Sequence, residues 1–157
     1  MSTGRVYTVV FTDVAISATQ DLFNFTSTSG MAIRLRRLIL NQKTLTAWEA
    51  KGFTIKILPA TVTAGSGGST PTPQKLTTTA AAATFTAHAN DTTAATTSGT
   101  AVTSHSDDWV FLNGVDLLVP LGMNVIAGPS QAIAVNLTTA PSASMTASGT
   151  AYIEELF

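Results

Sequence analysis

The chain contains no cysteine, which excludes a disulfide framework, a thiolate nucleophile and any Cys-built zinc or iron–sulfur centre. Charge is scarce as well. Asp, Glu, Lys and Arg make up 11% of the 157 residues, less than half the usual share of about 25%. Nine acidic and eight basic residues leave a formal net charge of −1, so no long-range field draws in nucleic acid or an anionic membrane surface. Long apolar runs are missing too. The most apolar stretch, Val115 to Gly128, is interrupted by Asp116, Pro120 and Gly122 and falls short of a membrane span. Met1-Ser2-Thr3-Gly4-Arg5 has neither the basic stretch nor the apolar region of a signal peptide. A soluble protein made in the cytoplasm is the expectation, with no membrane and no nucleic-acid partner.

Hydroxyls and methyls fill the space that charge leaves. Ser and Thr together supply roughly a quarter of the residues, while apolar residues stand at an ordinary 45%. Thr, Val, Ile and aromatics suit a pleated surface, so the balance leans to strands. A surface of this kind gains little from charge repulsion in solution and suits a protein packed against neighbours.

Periodicity supports the strand reading. Arg5 to Val14 alternates Val6, Thr8, Val10, Thr12 and Val14 with Tyr7, Val9 and Phe11, which predicts a strand covered on both faces. Asp21 to Thr26 puts Phe23 and Phe25 on a shared face. In Met31 to Asn41, Ile33 and Leu35 face one way, but Leu38 and Leu40 take the opposite parity. A β-bulge near Arg36 and Arg37 repairs that slip; a helix grouping Met31, Leu35 and Leu38 is the competing reading. Thr46 and Glu49 have the form of a capping box, with Gly52 ending one helical turn around Trp48. Phe53, Ile55 and Ile57 alternate with Thr54 and Lys56 up to Pro59. Further strands are expected around Trp109 and Phe111, Leu117 and Val119, Ile133 to Leu137, and Ser144 to Glu155. About eight short strands between Gly, Pro and Ser connections indicate one all-β domain over residues 1–157, a jelly-roll-like antiparallel β-sandwich.

Residues 60–103 break the pattern. Gly65-Ser66-Gly67-Gly68-Ser69, then Pro71 and Pro73, then Thr/Ala-rich sequence, hold few large apolar residues besides Leu76 and Phe85. Composition suggests a flexible excursion, yet a structureless loop of about forty residues is unusual in a compact domain. Short strands or extended arms are expected around Ala83 to Ala89 and Thr100 to Ser104.

Chemistry-bearing constellations are thin. His105, Asp107 and Asp108 form the one local cluster that could hold a metal or make a His–Asp pair, and His88 stands far from it in sequence. A solvated loop is the plainer expectation for them. Glu154 and Glu155 are adjacent, so a strand sends them to opposite faces, and a charged tail is expected. The glycine cluster has Thr at position 70 and no Gly-Lys-Ser/Thr ending, so it reads as a bend and not a phosphate loop. Asn24, Asn90 and Asn136 each begin an Asn-x-Thr sequon, of no meaning outside a secreted eukaryotic chain. Arg34, Arg36 and Arg37 hold three of the eight basic residues. They either meet an acidic partner surface or form the outer face and guard of a strand. No catalytic residue, metal or cofactor is expected, and the chain is read as a non-enzyme.

Three stretches resemble a group of small tailed-bacteriophage virion proteins of the capsid decoration, or cement, type. They are Arg5-Val6-Tyr7-Thr8-Val9-Val10-Phe11 through Ala18-Thr19-Gln20-Asp21-Leu22-Phe23, then Gly65-Ser66-Gly67-Gly68-Ser69-Thr70-Pro71-Thr72-Pro73, then Ser144-Met145-Thr146-Ala147-Ser148-Gly149-Thr150-Ala151-Tyr152-Ile153-Glu154-Glu155. The resemblance implies a jelly roll on the capsid surface of the virion that binds the major capsid protein and copies of itself. A homo-oligomer follows, with a trimer as the first expectation. A jelly-roll carbohydrate- or receptor-binding module of a phage tail is the alternative, with Trp48 or Trp109 as its aromatic platform.

Overall fold

The computed structural model describes residues 4–44, 49–110 and 113–157. Among these described residues thirteen strands follow one another, beginning with β1 (Arg5–Ile16), β2 (Gln20–Thr26), β3 (Ala32–Gln42) and β4 (Ala50–Leu58). The excursion supplies the short pieces β5 (Val62–Thr63), β6 (Gln74–Lys75), β7 (Thr86–Asp91) and β8 (Thr96–Thr97). Then come β9 (Val102–Val110), β10 (Val115–Leu118), β11 (Val125–Ala127), β12 (Ala132–Leu137) and β13 (Met145–Leu156). The capping box at Thr46, the turn around Trp48 and the pairing of Phe111 with Trp109 lie outside the described residues.

Eleven of the strands form two antiparallel sheets packed as a sandwich. One runs β10-β3-β13-β1-β6, with β11 also paired to β3; the other runs β7-β2-β12-β4-β9. Setting aside the excursion's pieces, β10 and β11 count as one interrupted strand. Each sheet then interleaves early and late strands of the chain in the manner of a jelly roll: β1 and β3 flank β13, and β2 and β4 flank β12. The alternation predicted for β1 and β4 is seen. Tyr7, Val9, Phe11, Phe53 and Ile55 point inward and are buried. The outer face of β1 is only partly covered among the described residues: Val6 and Thr8 are half-buried, and Val10 is 45% exposed.

Aromatic rings hold the sheets together. Phe11 of β1 meets Phe23 of β2 at 5.0 Å between centroids, and Phe23 stacks on Phe25 at 5.4 Å. Gly149 of β13 makes room for this, since a Cβ there would fall on the Phe11 ring and 3.0 Å from Phe23.

The slip in β3 is a bulge, as its parity requires. Tyr152 of β13 pairs with Arg37, and Ile153 pairs with Leu35, leaving Arg36 as the extra residue. On the other side of β3, the edge strand breaks at the same level. β10 pairs with Arg37 to Leu40, β11 with Ile33 to Leu35, and the Val119 amide donates to the Arg36 carbonyl between them at 2.9 Å. Residues 120–124 therefore loop out where Arg36 interrupts the ladder.

The excursion runs along its own sandwich. β6 pairs with β1 and β7 pairs with β2, so it adds an edge strand to each sheet on the side away from β9 and β10. Phe85 plugs the gap between them, edge-on to Tyr7 at 5.8 Å and to Phe25 at 6.2 Å. β5 and β8 pair with each other, and Val62 and Ala95 pack on Leu58, Ala132 and Ala134 outside the second sheet. A low-complexity composition hides this order because Ala87 and Ala89 fill the interface with very small side chains.

Truncating the plug, Phe85→Ala, is expected to remove about 3–5 kcal/mol of stability, the usual cost of a buried aromatic. Limited proteolysis should then cut within 76–84, whereas the wild-type chain resists there.

Candidate functional site: the open edge of the sandwich

The two edges of the sandwich differ. One is closed by β6, β7 and Phe85. At the other, β9 ends its sheet and, among the described residues, no strand pairs with its outer side. Between β9 and the interrupted edge of the first sheet lies a cleft of about 740 Å³. Ile55, Leu117, Val119, Met123 and Val125 give it apolar walls, and His105 and Ser104 line the β9 side. Large apolar side chains stand exposed beside it: Met123 is 74% exposed, Leu118 68% and Leu121, between the lining residues Pro120 and Gly122, 65%. An apolar patch of this kind on a protein surface marks a place where something binds.

The arginines sit on the outer face beside this edge, and each has a partner within the chain. Arg34 donates through Nε and Nη2 to Glu154 Oε2 at 3.0 and 2.6 Å, and Arg36 Nη1 reaches the same oxygen at 3.1 Å. Arg34 Nη1 also donates to Asn124 Oδ1 at 3.2 Å, which ties the outlooped segment to β3. Arg37 grips Asp116 with a two-pronged contact at 2.8 and 2.7 Å. This contact holds the Asp116 carboxyl below the ordinary carboxylate range. The face these arginines offer outward is thus largely neutralised.

His105, Asp107 and Asp108 lie on a strand and not on the solvated loop expected for them. His105 pairs with Ile55 and Asp107 with Phe53, so both share the inward parity at the mouth of the cleft; Asp108 faces out. His105 Nε2 stands 3.8 Å from Asp107 Oδ2, beyond hydrogen-bond reach. His88 is on β7, at the opposite end of the same sheet, four strand spacings or about 19 Å away. Its Nδ1 is 3.2 Å from Asp91 Oδ2. The two histidines do not converge, and among the described residues no group of three or more His, Asp or Glu side chains could hold a metal ion. Trp109 is fully buried and offers no stacking platform; Trp48 lies outside the described residues. Asn24 and Asn90 are buried as well, so neither sequon is open to a glycan.

The C-terminal carboxylates are not a solvated tail. Glu154 is the arginine anchor, and Glu155 is fully buried. Glu155 Oε1 accepts from the Thr84 amide at 2.5 Å and the Thr84 hydroxyl at 2.7 Å, pinning the excursion next to Phe85. A second pin went unread in the sequence. Asp21 Oδ2 accepts from the Ala95 amide at 2.7 Å, and Oδ1 accepts from Asn136 Nδ2 at 2.8 Å. Beside it, Asp91 Oδ1 accepts from the Gly68 amide at 3.1 Å, and the Gly65–Ser69 bend closes on Thr93 and Ala89 through backbone bridges.

No family model, no curated protein and no solved structure matches this chain.

Burial pushes the Asp21 carboxyl above its ordinary 3.8, and the charge of Asp91 adds to the shift; the Ala95 amide, Asn136 and Lys56 oppose it. A raised folded-state value favours the protonated form in the fold. Its contribution is therefore present below 3.8 and lost as pH rises through the raised value. In thermal melts from pH 7 down to pH 4, the wild-type chain should gain stability relative to Asp21→Asn. A difference between the two that does not change with pH would contradict this.

Proposed function

We propose that the chain is a non-enzymatic structural protein of a virus particle, a decoration protein that sits on the outer shell and stabilises it by spreading contact area. The reading is carried by the asymmetry of the two edges. The chain closes one edge of its jelly roll with β6, Phe85 and β7, while the other carries an apolar cleft and exposed Leu118, Leu121 and Met123. Exposed apolar residues on a fold that closes its far edge mark the face turned to a partner. The low overall charge and the resemblance of three stretches to phage virion proteins support the same role. The major capsid protein is the partner this reading names, and the capsid surface of the virion is its location.

The contact works by burial and not by chemistry. Each exposed apolar side chain covered by the shell contributes on the order of 1.5–3 kcal/mol, and repetition over many copies adds avidity without any strong single site.

Mass spectrometry and imaging of purified particles test the address. Hundreds of copies on the shell are expected, and a handful of copies at the tail would overturn it. Charging the loop with Leu121→Asp and Met123→Asp should lower shell occupancy at least tenfold. The melting temperature should stay unchanged, because both side chains are already in water.

A further inference from the structure

We propose that Lys56 and Asn136 join in a covalent amide cross-link, formed within the chain and assisted by Asp21. The link lies on the second sheet, away from the open edge, and does not depend on the shell role.

Three neighbouring strands bring the reacting groups together on the outer face of that sheet, beneath the excursion. Asn136 of β12 lies directly opposite Asp21 of β2. On its other side β12 pairs with β4, where Ala134 faces Lys56 and Asn136 faces Thr54. Lys56 is therefore the diagonal neighbour of Asn136, about 7–8 Å away, a span that a long side chain bridges. Asp21, Lys56 and Asn136 line one pocket of about 250 Å³, which Ala94, Ala95, Thr96 and Thr97 of the excursion help to close. The Lys56 charge acts on the Asp21 carboxyl across it.

Asp21 is placed to move a proton between the two. It is 2% exposed and stands opposite a second buried carboxylate, Asp91 of β7. Burial and a like charge both favour a proton on such a group. Its Oδ1 accepts from Asn136 Nδ2 at 2.8 Å, and the Gln20 carbonyl accepts from the same nitrogen at 3.3 Å. The carboxamide is thus held still, with the nitrogen that must leave set against the acid. Asp21 takes a proton from the Lys56 ammonium, which frees the lone pair of Nζ. Nζ then adds to Cγ of Asn136. Asp21 passes the proton to Nδ2, the Cγ–Nδ2 bond breaks, and ammonia departs. The remaining surplus proton on Nζ goes to Asp21. One C–N bond forms and one breaks, nothing is oxidised or reduced, and the chain loses one ammonia. The product ties β4 to β12 and closes a loop that holds the whole excursion and β9 to β11. Such a link stabilises as a disulfide does, by restricting the unfolded chain, in a sequence that has no cysteine.

Intact-mass spectrometry of the full chain reads the reaction directly. After incubation at neutral pH the wild-type chain should weigh one ammonia less than its sequence. Proteolysis should release one branched fragment that contains both Lys56 and Asn136. Lys56→Arg keeps the positive charge and should keep the full mass, with a circular dichroism spectrum like that of the wild type. Asp21→Asn keeps the shape of the side chain and should slow the loss about a hundredfold or more, the scale of general acid–base assistance. The mass is readable whether or not a variant folds. A wild-type chain of full mass, an ammonia loss that survives Lys56→Arg, or a branch at another lysine would each overturn the cross-link. An unchanged rate in Asp21→Asn would overturn the part given to Asp21.

Discussion

A strand keeps its apolar residues on one face only while every residue advances by the same half-turn, and β3 breaks that rule once. Ile33 and Leu35 point into the core on one parity, Leu38 and Leu40 on the other. The chain reconciles them by letting Arg36 stand out of the ladder. The neighbouring edge strand cannot follow β3 across that point, so β10 and β11 separate and residues 120–124 swing outward. The cleft, the exposed Leu121 and Met123, and the tether from Arg34 to Asn124 all follow from one surplus residue. Arg36 itself is stabilised where it is by Glu154, which Arg34 already holds.

The opposite edge shows how the same sandwich looks when completed. There a strand is laid on each sheet and one aromatic side chain is driven between them. Two buried carboxylates, Glu155 and Asp21, fasten that cover by accepting backbone amides of the excursion. Burying a carboxylate is costly unless its oxygens are occupied, and these acceptors are largely occupied. Glu155 keeps one oxygen without a partner, so the fastening at Thr84 carries some residual cost.

Much of the frame was legible because strand phase is a local property. Tyr7, Val9 and Phe11, or Phe53 and Ile55, announce their inward face by spacing alone, and the slip at Arg36 and Arg37 announced the bulge. The excursion was harder to read, because its order comes from long-range pairing. Ala87, Ala89 and a lone Phe85 carry too little apolar character to signal a strand, and the edges they complete lie some sixty residues back in the chain. The buried carboxylates were illegible for a related reason: the Thr84 amide and hydroxyl that donate to Glu155 come from 71 residues away. His105 and Asp107 were visible as a cluster, but polar residues on an edge strand look like a loop until the pairing of β4 with β9 is known.

That pairing also shapes how the chain reaches its fold. β4 and β9 are hydrogen-bonded neighbours, with Ile57 opposite Val102, yet the whole excursion separates them along the chain. What would ordinarily zip up as a tight hairpin becomes a long loop closure, and β13 must find β1 across nearly the full length of the polypeptide. Long-range pairings of this kind are entropically expensive to start and slow to form. Slow folding is the expectation for such a topology, and the excursion can settle only on edges that β1 and β2 already supply. Until it settles, both flanks of the sandwich stand open, and only one of them is destined to be closed from within.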